Sequence, residues 1–503
     1  MSPLSRRTVI RSAFALGASA LGWRRSLWAA EQLWDFIVVG AGTAGLPFAL
    51  FAARRGARIL LIDAASRVGG NLHQANGQIS GAGTRLQRSL GITDSAQRHF
   101  DDVMRVSQGT ADRDIVRLTA DHAGAMIDWL MDGGLTPLPG HPVTGDAPGR
   151  PMYSVRRYLW AKNEGRDILE VINRQLEPEL VRGRIVAQLD TRVSELLTDE
   201  RGAVEGVRAL HAGQSLVFRG NTVLLTSGGY AANPQLFRRL CGFPNYSSGA
   251  FPFAQGDGLE LATSVGGFLR GRDKYRSGFG SILSGESFPA KVTGRFITFP
   301  QIRQPWELYV NVLGERFVRE DEPLQREREQ ALLHQPELRY WIIFDEAIFR
   351  EAPPGVAGWS REQMRAAFDS HPMFARADTL EALAQRLGMD AVAVAHTVAA
   401  YNAALPGGTD PLGREYRPRP VGEAPFYAIR HQGHSATSAV GVVVDRRLRV
   451  LQGGGNPVPN LYAAGEILGS GASMGNAFAA GMMLTPALTF GKLLGSSLPI
   501  HRT

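Results

Sequence analysis

The clearest pattern in the chain is an unbroken apolar run, Phe36 to Val39, that stops at three spaced glycines, Gly40, Gly42 and Gly45. Beyond them apolar residues recur at helical spacing through Arg55. This reads as a buried strand, a tight turn and a helix. A second strand, Arg58 to Asp63, carries the apolar run Ile59 to Ile62 and closes with the acid, so strand, turn, helix and strand follow one another at the start of an α/β fold. Asp114 to Asp132 carries Met126, Ile127, Trp129 and Leu130 on one helical face and stops at Gly133-Gly134. Asp190 to Leu197 and Val204 to His211 alternate like antiparallel strands, with Asp199 to Gly202 as the turn. Gly256-Asp257-Gly258 opens another helix, with Asp257 near its positive end. From about Arg270 the pattern turns irregular, rich in Gly, Ser and aromatic residues. A strand follows at Tyr340 to Asp345, then helical segments at Ser360 to Phe368 and Thr379 to Asn402. In the second segment Asp378 or Thr379 is the expected N-cap, and Leu380, Leu383 and Leu387 form the apolar face. The last helix is expected to begin near Gly481.

The glycine turn has a chemistry as well as a shape. Gly40 permits the turn, Gly42 lets backbone approach a pyrophosphate, and Gly45 lets helix and strand pack closely. The helix start supplies N–H groups and a positive dipole for phosphates. Asp63 stands where an acid would take ribose hydroxyls, and an acid rather than an arginine favours FAD or NAD over NADP.

Further blocks choose between those two. The chain also contains Ser66-Arg-Val-Gly69-Gly70-Asn71, Val223-Leu-Leu-Thr-Ser-Gly228-Gly229 and Leu461-Tyr-Ala-Ala-Gly465-Glu466. In this order the blocks resemble the superfamily of soluble fumarate reductases and 3-ketosteroid Δ1-dehydrogenases, over nearly the whole chain after residue 34. The resemblance implies a Rossmann-like FAD-binding domain, residues 31–270 and 437–503, with an inserted α+β cap domain at 271–436. The segments Ala377 to Ala384, Leu387 to Asp390, Thr397 to Asn402 and Gly413-Arg414 strengthen the likeness to that cap. By the same resemblance Asp63 holds the adenosine ribose, Val193 lies against adenine, Gly69 to Asn71 line the pyrophosphate and flavin, and Glu466 binds the ribitol or ribose side. Ala44, Gly77, Gly229, Asp257, Met482 and Met483 complete the expected cofactor-binding set.

The substrate side departs from both branches. Fumarate reductases end in Gly-Ala-Asn-Arg-Leu-Gly-Gly-Asn, whose Arg clamps a carboxylate; here Gly475-Asn476-Ala477-Phe478-Ala479-Ala480-Gly481-Met482 puts Phe478 in that place. The family histidine before the final strand falls on Ala436 or Thr437, with His434 just upstream, and the proton-donating Arg becomes Leu324. Pro486-Ala-Leu-Thr-Phe-Gly491 resembles the ketosteroid enzymes instead, which makes Gly481 the glycine whose N–H polarises a ketone. The tyrosines of those enzymes fall on Leu324 and Ala477. Phe478, Leu324 and Ala477 therefore describe an apolar pocket for an aromatic or alicyclic substrate. His434, Arg326, Tyr309, Tyr275 and Glu322 are the candidates for moving a proton, and His73 is a candidate for covalent attachment of the flavin.

Composition bounds the rest. The 503 residues are 44% apolar, enough for large cores and two domains. The net charge of +8 is carried by arginines scattered among acids, which argues against nucleic acid as a partner. With Cys241 the only cysteine, the chain has no means to build an intramolecular disulfide, a Cys-x-x-Cys-His haem attachment or a cysteine-ligated cluster, and no metal site is expected. Electrons are then exchanged with an outside carrier, a cytochrome or quinone, or with oxygen. Ser5-Arg6-Arg7, the modest apolar stretch Ala13 to Trp23 and Arg24-Arg25 read as a twin-arginine signal over residues 1–30, which makes the twin-arginine export machinery a partner and the periplasm the destination. No second glycine fingerprint marks a nicotinamide site. The expectation is an exported FAD-dependent oxidoreductase that moves hydride between flavin N5 and a carbon–carbon bond next to a carbonyl, as dehydrogenase or ene-reductase. The alternatives are a flavin oxidase of an alcohol or amine, and an electron-transfer flavoprotein without an organic substrate.

Overall fold

The computed structural model describes residues 32–145, 152–247, 249–275, 277–405 and 407–500. The expected export signal lies outside the described residues.

Strand β1 (Leu33–Val39), helix α1 (Gly45–Arg54) and strand β2 (Ile59–Ile62) form the opening unit. Phe36 to Val39 and Ile59 to Ile62 are buried throughout, as strands of a parallel sheet covered on both faces must be, and this is why they read as continuous apolar runs. After helices α2 (Ala96–Val106), α3 (Arg113–Asp132) and α4 (Gly165–Val181), the chain adds β3 (Ile185–Gln188) parallel to β2. Strands β4 (Thr191–Thr198) and β5 (Val204–His211) are the antiparallel pair that the alternation predicts. The alternation did not show that β5 continues into a long strand, β6 (Gln214–Leu225). The first part of β6 pairs antiparallel with β5, Val207 against Phe218, and its last part lies parallel to β1, Ile37 against Val223. Its burial shifts accordingly, from exposed at Gln214 to fully buried at Val223 to Leu225. Helix α5 (Asp257–Ser264) follows, capped by Gly256 in the left-handed region, at φ 94°.

A second body of sheet is wholly antiparallel. Strands β7 (Ser281–Leu283) and β8 (Val292–Arg295) form a ribbon. Strands β9 (Leu308–Asn311), β10 (Arg339–Asp345), β11 (Phe374–Ala377) and β12 (Phe426–Gln432) form a sheet in the order β9-β10-β12-β11. Helices α6 (Gln325–Leu333), α7 (Arg361–Ser370), α8 (Leu380–Leu387) and α9 (Ala391–Ala403) accompany it. The segment read as one helix over Thr379 to Asn402 is two. Gly388 turns left-handed at φ 69° to end α8, and the Asp390 carboxylate restarts the chain by accepting from Val392 N–H at 2.9 Å. Thr379 is the N-cap of α8, accepting from Ala382 N–H.

The chain then returns to the first sheet. Strand β13 (Arg449–Leu451) pairs antiparallel with β14 (Pro457–Ala463), which runs parallel to β6, so the large sheet reads β13-β14-β6-β1-β2-β3. Helix α10 (Leu484–Ser497) closes the fold against α1, and regular helix starts three residues after Gly481. A Cβ at Gly491 would lie 2.1 Å from Ala44 O and one at Gly495 2.5 Å from Phe48 O, so these two glycines set how closely α10 approaches α1. The expected α/β architecture is the one observed, with a core sheet whose strands β14, β6, β1, β2 and β3 run parallel.

Candidate active site

A cavity of about 470 Å³ opens beyond the ends of β1 and β2 and runs to the antiparallel ribbon; its lining includes Gly40, Gly42, Ala44, Asp63 and Gly70 from the first unit, Val292 and Arg295 from β8, and Phe253. The carboxyl ends of parallel strands are where open α/β sheets bind ligands.

The three glycines of the first turn do different work. Gly40 adopts φ 111° and a Cβ there would lie 2.4 Å from Thr226 O; one at Gly45 would lie 2.0 Å from Gly40 O. Both positions are closed by the protein's own backbone. Gly42 is open: its Cβ would meet only Gly70 Cα at 3.9 Å and would project into cavity space. Gly69 N–H donates to Ala41 O at 2.7 Å, folding the second glycine pair over the first turn. Asp63 ties β2 to that turn, accepting from Ala41 N–H at 2.6 Å and Ala65 N–H at 2.8 Å, while burial raises its pKa.

Residues 395 positions apart meet in the cavity wall. Glu466 accepts from Asn71 Nδ2 at 3.0 Å and from Ser438 N–H at 3.0 Å. A Cβ at Gly229 would lie 2.8 Å from Glu466 Oε1, so the glycine is what admits this carboxyl. Burial pushes Glu466 up to about 7. Near Asp63, Val193 lines the wall and the Arg192 guanidinium holds both oxygens of Asp257 at 2.6 and 2.7 Å; burial nonetheless raises the Asp257 pKa. Gly45, Gly77, Gly229 and Met482 stand behind the lining rather than in it, whereas Met483 faces the cavity. At Gly77, φ 69° and a Cβ 2.3 Å from Glu164 C make glycine a packing requirement.

Phe478, Gly481 and His434 line the same cavity, as do Phe251 and Phe253. Gly278 makes room for the imidazole, since a Cβ there would lie 2.6 Å from His434 Cε1. Several expected residues are elsewhere. Leu324 is 43% exposed and immediately precedes α6, so it walls no pocket. Ala477 is buried but outside the lining. Arg326 pairs with Glu327 at 2.5 Å on α6. Tyr309 is enclosed in an aromatic cluster with Phe279 and Tyr340, its pKa raised by burial. Tyr275 stacks on Phe243, and Glu322 accepts from Leu324 N–H. His73 faces away from the cavity, its Nε2 2.8 Å from Val68 O, so it is not placed to attach a flavin. Arg192, Phe251, Phe253 and Arg295 were not singled out from sequence. The Phe251-Pro-Phe253 pair in a Gly-rich stretch was the one local signal available.

The residues present fit a dinucleotide-sized flavin. The cradle at Gly42 is space that a side chain would fill, and Asp63, Asn71 and Glu466 would hold its polar parts. Among the described residues no group of three or more His, Cys, Asp or Glu could hold a metal ion, and no helix is long and apolar enough to cross a membrane.

Comparison with known proteins gives the class. The FAD binding domain family model matches residues 35–481, and the chain belongs to that family. It is an FAD-dependent oxidoreductase of the reductase and dehydrogenase type that acts on carbon–carbon bonds. It is 29% identical over 472 residues to a fumarate reductase (cytochrome) of Shewanella frigidimarina, covering 92% of this chain and 76% of that one. It is 25% identical over 481 residues to a urocanate reductase of Eggerthella lenta, covering 92% and 74%. Its fold matches that of 3-ketosteroid Δ1-dehydrogenase from Sterolibacterium denitrificans with TM-score 0.70 at 20% identity, over 92% of this chain and 98% of that one.

Proposed function

We propose that the protein is an exported, periplasmic enzyme that moves hydride between its flavin and the carbon–carbon bond next to the carbonyl of an apolar, ring-type substrate. The observation that carries this reading is the aromatic share of the cavity lining, in which Phe478, Phe251 and Phe253 stand together with Gly481 and His434. Three rings favour a flat or alicyclic body over a small dicarboxylate. Relatives named for fumarate and urocanate reduction support chemistry at a carbon–carbon double bond. Bound FAD supplies the hydride acceptor or donor.

The chain's own residues supply the rest. Gly481 N–H polarises the carbonyl oxygen, which lowers the cost of charge gathering there as the adjacent carbon gains or loses hydride. His434 moves the proton; its position in the cavity lining, from which Arg326 and Tyr309 are missing, supports this choice. Phe253 and Val292 face the cavity from opposite bodies of the fold, and closing them together excludes water from the reacting atoms. An external cytochrome or quinone, or oxygen, exchanges electrons with the flavin, and Ser5-Arg6-Arg7 directs export by the twin-arginine machinery.

The test is anaerobic. Cyclic enones should reoxidise the reduced flavin, or their saturated partners should bleach the oxidised flavin, while fumarate and succinate do neither. Efficient reduction of fumarate overturns the apolar-substrate reading. In a parallel aerobic assay, where oxygen takes the electrons, hydrogen peroxide release with alcohols or amines, and not with ketones, would make the protein an oxidase. Silence toward every organic compound tried, with fast exchange to a cytochrome, would make it an electron carrier.

A further inference from the structure

The loop that carries Phe478 and Gly481 is held from behind by a buried tyrosine. Tyr153 is fully buried, and its hydroxyl donates to the carbonyl oxygen of Ala480 at 2.5 Å. The ring is clamped on two sides. The Arg157 guanidinium sits 5.1 Å from its centroid, fixed in turn by Asp94 and Asp102, and His99 meets its edge at 5.8 Å. Burial raises the Tyr153 pKa well above the ordinary phenol range, which keeps the hydroxyl protonated and therefore a donor at any working pH. Burial drops His99 to about 3, so the imidazole beside it stays neutral and adds no charge.

What this does follows from peptide geometry. Only X-Pro bonds are cis among the described residues, so the Ala480–Gly481 peptide is trans and planar, and its C=O and N–H point in opposite directions. With the carbonyl pinned at the back by Tyr153, the N–H of the same peptide is aimed forward, on the side where Gly481 lines the cavity. The unit has little freedom to turn. A Cβ at Gly481 would lie 2.5 Å from Ser80 N, and Ser80 N–H itself donates to Thr485 Oγ1 at 2.9 Å. Gly481 O accepts the N–H of Thr485 at 3.0 Å, which fixes the other side of the glycine at the entry to α10.

We propose that Tyr153 is a positioning residue that aims the Gly481 N–H at an oxygen on which negative charge develops in the cavity. This rests on the role given to Gly481 above and deepens it. That oxygen belongs either to the substrate, as its carbonyl takes on enolate character, or to the pyrimidine ring of the flavin as it is reduced. A donor already aimed at the developing charge needs no reorientation during the reaction, and that is the source of its effect.

Tyr153→Phe removes one hydroxyl and keeps the ring. Tyr158→Phe is the matched control, a buried phenol in the same cluster whose hydroxyl does not bond Ala480. If the oxygen is the substrate's, Tyr153→Phe should load FAD fully and lose about tenfold in kcat, with KM within about threefold of wild type, because the interaction is made chiefly in the transition state. If it is the flavin's, the substrate-free two-electron midpoint potential should fall by about 30 mV, the equivalent of that tenfold change. Tyr158→Phe should leave both readouts where they were. A folded, FAD-loaded Tyr153→Phe enzyme with both readouts unchanged overturns the proposal, as does an equal loss in Tyr158→Phe. Should Tyr153→Phe fail to fold, 3-fluorotyrosine at position 153 keeps the hydroxyl and alters its donor strength, and it must then shift one of the two readouts. A wild type that turns over no ketone or enone would defeat the functional reading, and the potential alone would then decide the role of Tyr153.

Discussion

A side chain at Gly42 has room in the protein but would occupy the space left for the cofactor, so this one position separates binding from folding. Its Cβ would meet nothing closer than Gly70 Cα at 3.9 Å, and its backbone does not lie in the left-handed region. Gly42→Val should therefore fold with stability within about 1 kcal/mol of wild type, since losing a glycine also removes freedom from the unfolded chain. The branched side chain would hold a pyrophosphate away from the N–H groups of the turn. Losing two charge-assisted bonds at about 1.5–3 kcal/mol each gives about 3–6 kcal/mol, which is about 10²–10⁴ in Kd. Gly40→Ala and Gly45→Ala are the contrast. Their Cβ atoms would lie 2.4 Å from Thr226 O and 2.0 Å from Gly40 O, so these variants should lose stability with or without flavin. The assay is the flavin-to-protein absorbance ratio of the purified proteins, together with thermal melts of their cofactor-free forms. A fully yellow Gly42→Val protein would refute the argument. So would a cofactor-free Gly42→Val protein that melts as low as Gly45→Ala.

Glu466 should make the stability of the cofactor-free protein depend on pH. Its folded pKa of about 7 exceeds the ordinary 4.5, so folding takes up a proton between those values. Stability contributed by the protonated form is complete below pH 4.5 and is lost as pH rises through 7, by about 3 kcal/mol at about 1.4 kcal/mol per unit. Denaturant titrations of wild type and Glu466→Gln should differ in slope across that window, and parallel curves would refute the assignment. Phe478→Arg should weaken binding of the ring-type substrate at least about tenfold by placing a charge among apolar groups, with at most a slight gain in fumarate affinity, both read by flavin difference spectra. Undiminished binding of the ring compound would remove Phe478 from the pocket. Arg6→Lys combined with Arg7→Lys should strand the protein in the cytoplasm, and an unchanged periplasmic yield would refute the twin-arginine route.

The elements that sequence determined by itself are those whose signal is local. Burial on both faces of β1 and β2 requires apolar residues at successive positions, so Phe36 to Val39 and Ile59 to Ile62 stand out as continuous runs. The glycine turn between strand and helix leaves its spacing in the same stretch, and the FAD-binding unit was legible from these two signals together. The cap of α8 at Thr379 was equally local. The break at Gly388 was not, because a glycine inside a helical pattern is compatible with either continuation or arrest.

Tertiary structure decided what no local pattern carries. Gly40, Gly42 and Gly45 look alike in sequence, and only the neighbouring backbone shows that two of them are closed by Thr226 O and Gly40 O while Gly42 is open. The family resemblance puts Leu324 and Ala477 in a pocket, but the direction of a side chain in an irregular segment is set by the turn that precedes α6 and by the packing of the 475–483 loop. Asn71 and Glu466 meet across 395 residues, and Arg295 and Phe251 reach the cavity from separate parts of the chain. Such meetings depend on the closure of two sheets around one space, and an amino-acid sequence records the periodicity of each sheet but not the distance between them.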